Sequence, residues 1–225
     1  MFSDFFSLLY PNLCCACGDK LLKSEKAICL KCKYEFPYLG LTHLKDNSVT
    51  KVFWGRVPLE YGISLIAFNK GHKIQNVLHE IKYNNHTTAA EELGEMIGEI
   101  INSFSVSDVD FLIPVPLHPK KLKTRGYNQA ELIANGISLS TQIPVLTNTV
   151  IRNAYTETQT KKRRMERWDN VAAVFELNSQ NNLTDKHVLI VDDVLTTGAT
   201  LEACANVILK AGIKKLSIAT VACVI

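Results

Sequence analysis

The stretch at residues 188–200 constrains the fold of this chain more than any other. It reads V-L-I-V-D-D-V-L-T-T-G-A-T. The four apolar residues at its start show no polar alternation, which predicts a strand buried on both faces, as in parallel sheets covered by helices. Apolar residues then recur at helical spacing up to Gly212, a typical C-terminal stop. The predicted order is strand, acidic pair, Thr/Gly loop and helix.

The chemistry of this loop suits a ribose 5-phosphate. Free N–H groups and the positive dipole end of a helix N-terminus favour phosphate, and a glycine lets the backbone approach an anion closely. The carboxylates of Asp192 and Asp193 can accept hydrogen bonds from sugar hydroxyls or face a hydrated divalent cation. An ordinary turn with Asp and Thr as caps is the alternative, but caps require neither the pair nor the loop. The candidate phosphate-binding residues are Thr196, Thr197, Gly198, Ala199 and Thr200.

The same stretch resembles the phosphoribosyl-pyrophosphate (PRPP) motif of type I phosphoribosyltransferases. The resemblance implies that the acidic pair contacts the ribose hydroxyls and that the loop holds the 5-phosphate. No lysine follows the loop glycine, so the stretch does not match the Walker A phosphate loop of nucleotide-binding proteins.

A second constellation lies near the N-terminus, where two C-x-x-C pairs stand close together. Four thiolates at this spacing can close a tetrahedral Zn²⁺ site, which would stabilise a segment too small to fold alone. Cys15 duplicates the first pair, and we take Cys14 as the ligand. A thioredoxin-like redox pair is the less favoured alternative, because no βαβ pattern surrounds either pair. The predicted zinc ligands are Cys14, Cys17, Cys29 and Cys32.

Cysteine usage and charge limit the class of protein. The chain has seven cysteines, and its N-terminus lacks the basic region of a signal peptide, so we expect metal rather than disulfides and a cytoplasmic location. No apolar run reaches the ~18–20 residues that cross a bilayer, so no membrane span is expected. A net charge of +3 and a pI near 8.4 permit nucleic-acid contact without arguing for it.

A second strand-to-loop junction follows residue 110. Residues 111–115 form a short apolar strand that stops at prolines, and Val115 and Pro116 begin a loop. The loop looks mobile and carries four cations, and a helix starts near Asn128. Because ligands bind at the carboxyl ends of parallel strands, a basic loop there suits a pyrophosphate; a solvated surface loop is the alternative. The cations are Lys120, Lys121, Lys123 and Arg125.

The motifs P-V-P-L-H-P and R-G-Y-N-Q-A-E-L resemble the signature of the ComF family, whose members join an N-terminal zinc finger to a phosphoribosyltransferase-like domain. The resemblance covers essentially the whole chain, including the zinc cysteines and the PRPP loop. It implies that the loop after Ile113 binds pyrophosphate and that residues 125–129 close over the ligand. It also implies a role in DNA uptake during natural competence, with single-stranded DNA and a competence helicase machinery as partners.

A basic run at residues 151–169 has two interpretations. Its cations and aromatic residues could follow a single strand of nucleic acid, or the run could form a flap beside the active site, which we favour. The ComF resemblance adds a Q…R…N pattern, matched by Gln159, Arg163 or Arg164, and Asn170. The remaining residues of the run are Arg152, Lys161, Lys162 and Arg167, with Tyr155 and Trp168 among them.

The rest of the chain completes an α/β prediction. We expect a zinc-finger module at 1–45 and a phosphoribosyltransferase-like domain at 46–225, with a linker near 37–50. Within 46–105 we expect a hood, with a hairpin at 57–68 and a bulge at Gly62, and two helices at 74–83 and 88–102. Lys82, at the end of the first helix, could reach a phosphate. Further strands are expected near 111–115, 145–150, 188–192 and 216–222, in a mostly parallel sheet flanked by helices.

Two functional hypotheses follow. In the first, an enzyme displaces pyrophosphate from PRPP with a nitrogen nucleophile, Mg²⁺ bridges the pyrophosphate and the ribose, and Asp192 and Asp193 hold the ribose. Lys120 and Arg125 then neutralise the leaving group. In the second, a non-catalytic PRPP sensor handles incoming single-stranded DNA. No nucleobase-recognition element is visible in the sequence, which weakens the case for turnover.

Overall fold

In the part of the chain that the structure describes, four parallel strands form the central sheet, in the order β1-β6-β5-β2. The computed structural model describes residues 11–68, 71–152, 174–178 and 181–224. Two short strands, β3 and β4, pair antiparallel outside this sheet. The strands are β1 (Tyr61–Phe68), β2 (Phe111–Pro114), β3 (Val150–Arg152), β4 (Phe175–Leu177), β5 (His187–Leu195) and β6 (Lys215–Val224).

Helices flank the sheet on both faces, which confirms the expected α/β class. Within the described ranges none of them is long and apolar enough to cross a membrane. The helices are α1 (Leu30–Tyr34), α2 (Ser48–Lys51), α3 (Lys73–Tyr83), α4 (Thr87–Ser103), α5 (Pro119–Arg125), α6 (Gln129–Thr141) and α7 (Ala199–Leu209).

Strand β5 divides the core into two halves. Leu189 and Val191 belong to the core that includes α3, α4 and α6, whereas Val188 and Ile190 belong to the core that includes α7. Successive side chains of a strand point to opposite faces, so this alternation follows from the extended backbone. All four residues are buried, as the unbroken apolar run predicts.

Helices α4 and α6 cross at glycines that let their backbones touch. A Cβ added at Gly136 would lie 2.0 Å from the carbonyl oxygen of Glu91, and one at Gly94 would lie 2.1 Å from that of Ile133. Any side chain at either position would therefore push the helices apart. The crossing fixes the position of α6, whose N-terminus points to the functional site described below.

The hairpin expected at 57–68 is wrong. Residues 61–68 form one strand that pairs in parallel with β6, and Gly62 keeps the register opposite Ile218 instead of forming a bulge. The strand is buried on both faces, so its β-branched residues reflect a covered parallel strand and not a local turn. Glycine is required at 62 because an added Cβ would lie 2.8 Å from Cγ2 of Thr50, on α2.

The basic segment expected to be a loop is helical. Proline occupies the first turn of α5, where its missing N–H leaves no bond unmade, and Nδ1 of His118 accepts a hydrogen bond from the backbone N–H of Lys120 at 3.2 Å. The left-handed Gly126, with φ of 84°, ends the helix. The four cations therefore lie on a short helix at the rim of the sheet.

The expected strand at 145–150 is discontinuous. Val145 forms a single parallel bridge to Leu112, and Val150 begins β3 in the small antiparallel sheet. Asn148, between them, has a positive φ of 59°, which breaks the extended backbone. The expected linker near 37–50 is also partly ordered, because Tyr38 bridges to Ile66 and residues 48–51 form α2.

Candidate functional site

A cleft of about 560 Å³ lies at the carboxyl ends of β2 and β5. β2 leads to α6 on one face of the sheet, and β5 leads to α7 on the other. Ligands of open α/β sheets bind at such a switch point. Of the residues predicted from the sequence, the cleft brings together Asp192, Asp193, Thr196, Thr200, Val115, Pro116, Lys121 and Arg125.

The two carboxylates extend beyond the neighbouring strand. β2 ends at Pro114, opposite Val191, and the next residue, Val115, donates its N–H to the carbonyl of Val191 at 2.9 Å. β5 continues past this point through Asp192 and Asp193. The acidic pair is thus held by a strand while one side of it opens into the cleft.

Asp192 is half-buried and faces the Thr/Gly loop. Its Oδ1 accepts a hydrogen bond from the backbone N–H of Asp193 at 2.8 Å. Burial and, secondly, the negative charge of Asp193 raise the pKa of Asp192 well above that of a free aspartate. No salt bridge joins this carboxylate to a cation among the residues that the structure describes, which favours a ligand that brings hydrogen-bond donors.

Asp193 has different surroundings, because strand alternation turns it toward α3 and α6. It is 7% exposed, and its Oδ2 lies 2.6 Å from Nζ of Lys82 and 3.5 Å from Nε2 of Gln129. Lys82 comes from the last turn of α3, where the helix dipole also favours a cation. The sequence predicted only that Lys82, a cation after an apolar stripe, could reach a phosphate. No sequence pattern identified Asp193 as its partner.

The loop between β5 and α7 has the geometry of a small anion cradle. Gly198 is the N-cap of α7, takes a left-handed φ of 79°, and provides no side-chain cap for the helix N–H groups. A cavity of about 50 Å³ lies between Asp192 and the loop, lined by Thr196, Thr197, Gly198 and Thr200 among others. Ala199, at the first position of the helix, contributes its backbone N–H, which lies 3.5 Å from Oγ1 of Thr197.

A neighbouring segment supports this loop from behind. Arg56 donates to the carbonyl of Thr197 at 3.3 Å and pairs with Glu202, on the first turn of α7, at 2.7 Å. A Cβ added at Gly198 would lie 3.0 Å from the ring of Phe53. Glycine is therefore required there by both the backbone conformation and the packing. No sequence motif indicated that residues 53–56 contact the loop.

The R-G-Y-N-Q segment has a structural role at each position. Arg125 lies over the ring of Tyr83, at 5.7 Å, and Gly126 ends α5. The hydroxyl of Tyr127 donates to the carbonyl of Ile81. The next two positions, Asn128 and Gln129, cap α6 and begin it.

A second cavity, of about 350 Å³, shares a wall with the cleft. Lys120 lies here and not among the lining residues of the cleft itself. Every charged residue among the described residues that line this cavity is a cation, and two tyrosines also line it. The residues are Lys82, Tyr83, Asn85, Lys120, Lys121, Thr124, Arg125 and Tyr127.

Four cysteine sulfurs form a separate cluster at the N-terminal end. The Sγ atoms of Cys14, Cys17, Cys29 and Cys32 all lie within 4.8 Å of one another, and those of Cys17 and Cys29 are 3.8 Å apart. A tetrahedral Zn²⁺ with Zn–S bonds of about 2.3 Å sets its sulfurs about 3.8 Å apart, so the cluster fits this ion. Cys15 lies outside the cluster, and burial raises the pKa of its thiol to about 12.

One buried carboxylate holds the cysteine module on α4. Oε2 of Glu92 accepts hydrogen bonds from the backbone N–H groups of Ala27 and Ile28, both at 3.0 Å. Its Oε1 pairs with Lys33 at 2.5 Å. On α3, the side-chain amide of Asn76 donates to the carbonyl of Ala16 at 3.0 Å. The module and the helices therefore share one buried core.

Most of the basic run at 151–169 lies outside the described residues, including Gln159, Lys161, Lys162, Arg163, Arg164 and Arg167, as does Asn170. Arg152 is described: it lines the cleft, and its guanidinium lies 5.3 Å from the ring centre of Phe175. This residue places one end of the run at the site.

Comparisons with known proteins agree with this geometry. A family model of the phosphoribosyl transferase domain matches residues 122–223, which include the acidic pair and its loop. Competence protein F of Haemophilus influenzae is 26% identical over 225 residues, covering 91% of this chain and 94% of its own length.

Two further relatives are similar over most of the chain. Competence protein ComFC of Bacillus subtilis is 25% identical over 204 residues, covering 89% of this chain and 73% of its own length. The DNA utilization protein YhgH of Escherichia coli K12 is 24% identical over 216 residues, covering 91% of this chain and 94% of its own length. The chain is therefore similar to competence and DNA utilization proteins over most of its length, and it also has a matched phosphoribosyl transferase domain and a four-cysteine cluster.

Proposed function

We propose that the protein binds PRPP in the cleft at the carboxyl ends of β2 and β5 and transfers its phosphoribosyl group to a nitrogen nucleophile. The observation that carries the proposal is the small cavity between Asp192 and the uncapped N-terminus of α7. It offers a carboxylate for sugar hydroxyls beside backbone donors for a phosphate. A ribose 5-phosphate needs this combination.

The pyrophosphate would lie on the other side of the ribose. Val115 and Pro116, which follow the last residue of β2, line the cleft, as does Arg125 at the end of α5. Arg125, with Lys120 and Lys121 on the same helix, would neutralise the charge that develops on the leaving group. The C1–O bond to pyrophosphate breaks while a C1–N bond forms, and the nitrogen releases its proton.

Mg²⁺ would enter with the ligand. Because Lys82 already pairs with Asp193, the acidic pair does not offer two unpaired carboxylates to a metal ion. A hydrated Mg²⁺ held mainly by phosphate and ribose oxygens fits this arrangement better, because the ion keeps several waters in such sites. When bound, the ion supplies charge stabilisation of the pyrophosphate.

We also propose that the four-cysteine cluster binds a structural Zn²⁺ and that the module ends near residue 45. A closed Cys₄ set leaves no open coordination position, so the ion would stabilise the fold and not act in catalysis. The names of the competence relatives support a role in natural competence, and we propose that the protein acts in the cytoplasm.

Calorimetric titration with PRPP and Mg²⁺ tests the ligand. The wild-type chain should bind, and at a pH above the raised pKa of Asp192 the Asp192→Asn substitution should weaken binding at least about tenfold, since hydrogen bonds to a charged group contribute about 1.5–3 kcal/mol. Asp185→Asn is a matched control, because Asp185 is exposed and precedes the same strand at its opposite end. Absence of binding by the wild type would contradict the proposal.

Turnover is tested by pyrophosphate release. The wild-type chain with Mg²⁺·PRPP is given a panel of nucleobases and other nitrogen nucleophiles. Release that depends on one acceptor supports the transferase. PRPP binding without release for any acceptor would favour a sensor.

The second cavity favours a second candidate function, a non-catalytic PRPP sensor that handles single-stranded DNA. Cations beside exposed aromatic rings can hold phosphates and stack bases, and Tyr83 is 68% exposed. The E. coli relative carries the name of a DNA utilization protein. A competence helicase machinery would then be a protein partner.

Salt-dependent binding of single-stranded DNA tests this candidate. Each phosphate contact removed should flatten the slope of log K against log salt by about 0.7. Lys121→Gln should do so, and Lys214→Gln, an exposed lysine before β6, should not. Equal slopes for wild type and Lys121→Gln would contradict DNA binding in this cavity.

A further inference from the structure

The side-chain amide of Gln129 contacts two parts of the cleft that come from separate sequence motifs. Gln129 is the first residue of α6 and is only 7% exposed. Its Nε2 lies 3.5 Å from Oδ2 of Asp193, and its Oε1 accepts a hydrogen bond from Nη1 of Arg125. One buried amide therefore contacts a carboxylate of the acidic pair and the guanidinium at the pyrophosphate side.

The charges of the two partners fix the orientation of this amide. A guanidinium only donates hydrogen bonds, and an ionised carboxylate only accepts them. If the amide were turned over, its nitrogen would face Arg125 and its oxygen would face Asp193, so both bonds would be replaced by repulsive contacts. The amide thus has one favourable orientation.

The backbone of Gln129 is also held in place. Oδ1 of Asn128 accepts from the N–H of Ala130 at 3.1 Å, which caps α6. The Nδ2 of Asn128 donates to the carbonyl of Val115 at 3.0 Å, one residue after the end of β2. The crossing of α4 and α6 at Gly94 and Gly136 positions the rest of the helix. These contacts fix the position of the Gln129 backbone relative to the cleft.

We propose that Gln129 is a positioning residue that couples the ribose side of the site to the pyrophosphate side, by holding Asp193 through its nitrogen and Arg125 through its oxygen. The inference rests on the proposed binding of PRPP. Lys82 holds Asp193 independently, at 2.6 Å, whereas Gln129 provides a side-chain hydrogen-bond acceptor for Arg125 among the described residues of the cleft. Loss of the amide should consequently affect the pyrophosphate side more than the ribose side.

Two substitutions separate the two halves of the amide. Gln129→Met keeps the length of the side chain and removes both hydrogen bonds. Gln129→Glu keeps an acceptor for Arg125 and places a negative charge against Asp193. Affinities for PRPP and for ribose 5-phosphate, each with Mg²⁺, are measured by calorimetry for both variants and for Gln142→Met, an exposed glutamine at the other end of α6.

We expect Gln129→Met to weaken PRPP binding at least about tenfold and ribose 5-phosphate binding less than about threefold. Gln129→Glu should weaken both ligands by a similar factor, because the repulsion acts on the ribose side. Gln142→Met should change neither. Thermal unfolding of each variant shows whether the fold is retained.

Three results would overturn the inference. The first is that Gln129→Met binds both ligands with wild-type affinity. The second is that Gln129→Met folds but loses affinity for PRPP and for ribose 5-phosphate by the same factor. The third applies if Gln129→Met does not fold: if Gln129→Glu then weakens PRPP binding but not ribose 5-phosphate binding, the result contradicts the orientation assigned to the Gln129 amide. Failure of the wild type to bind PRPP would instead overturn the proposed function, and this inference with it.

Discussion

At the scale of residues, Asp192 and Asp193 are neighbours in sequence with opposite electrostatic surroundings. Asp193 has Lys82 as a counter-ion, and Asp192 has no cation paired with it among the described contacts. The period of the strand sends one carboxylate toward α3 and the other toward α7. A single acidic pair therefore combines a structural ion pair with a carboxylate poised for a ligand.

The asymmetry predicts opposite effects of two similar substitutions. Asp192→Asn should raise the melting temperature at pH 8, by about 2–4 °C for each kcal/mol gained. Asp193→Asn should lower it, because Lys82 would be left without its partner in a mostly buried position. Differential scanning calorimetry measures both, and two shifts of the same sign would contradict the description of the pair.

The effect of Asp192→Asn should depend on pH. The pKa of Asp192 is raised in the folded protein, so its side chain stays protonated there as pH rises. In the unfolded chain the same side chain loses its proton just above the pKa of a free aspartate. The stability of the wild type therefore falls as pH rises from that point through the raised pKa. The gain from Asp192→Asn should be absent near pH 4 and largest at the upper end of this window. A gain that is equal at all pH values would argue against a raised pKa.

At the scale of elements, local patterns predicted helices better than strand pairing. The apolar periodicity of α3 and α4 located both helices within a residue or two of their ends. The hairpin at 57–68 failed because β1 pairs with β6, near the other end of the chain, and no local pattern reports a distant partner. The helix α5 was missed because its apolar content is a single leucine among cations.

The close packing of α4 against α6 can be tested by adding one methyl group at Gly136. Gly136→Ala should destabilise the protein by about 1–3 kcal/mol or more, because the added Cβ meets the backbone of Glu91 and not a flexible side chain. Urea unfolding measures the change. Asn135→Ala, at the preceding position of α6, is the control and should be neutral or stabilising, since alanine favours helix. Equal stability of Gly136→Ala and wild type would contradict the close packing.

At the scale of the whole molecule, the cysteine module and the α/β body are joined through a buried core. The sequence predicted the cysteines, the acidic pair and the Thr/Gly loop, since each is a contiguous motif. It could not predict Glu92, Lys82 or Arg56 as their partners, because those contacts join segments far apart in the chain. Motifs located the sites, and tertiary packing supplied the residues that hold them.

Glu92 should be a major source of stability for the module. Glu92→Gln removes the pairing with Lys33 at a side chain that is almost fully buried, and breaking such a pair costs about 3–5 kcal/mol. Glu95→Gln, one turn later, removes a more exposed pair with Lys26 and should cost less than about 1 kcal/mol. Chemical unfolding compares the two. A smaller loss for Glu92→Gln than for Glu95→Gln would contradict the role given to Glu92.

Metal content tests the zinc proposal directly. Purified protein should contain about one equivalent of zinc, and Cys32→Ser should contain much less, since Cys32 is a fully buried member of the cluster. Cys15→Ser, outside the cluster, should keep the metal. Less than about half an equivalent in the wild type would count against a Cys₄ site.

The attachment of the module to Glu92 also has a consequence for biosynthesis. The cysteines are translated first, but the carboxylate that binds Ala27 and Ile28 follows Ile28 by 64 residues. At roughly 5–20 residues per second, the ribosome needs about 3–13 s to cover that distance. During this interval the four thiols have left the peptidyl-transferase centre without the helix that later holds them. Metal capture by the nascent chain would therefore depend on the supply of free zinc and on the redox state around the ribosome.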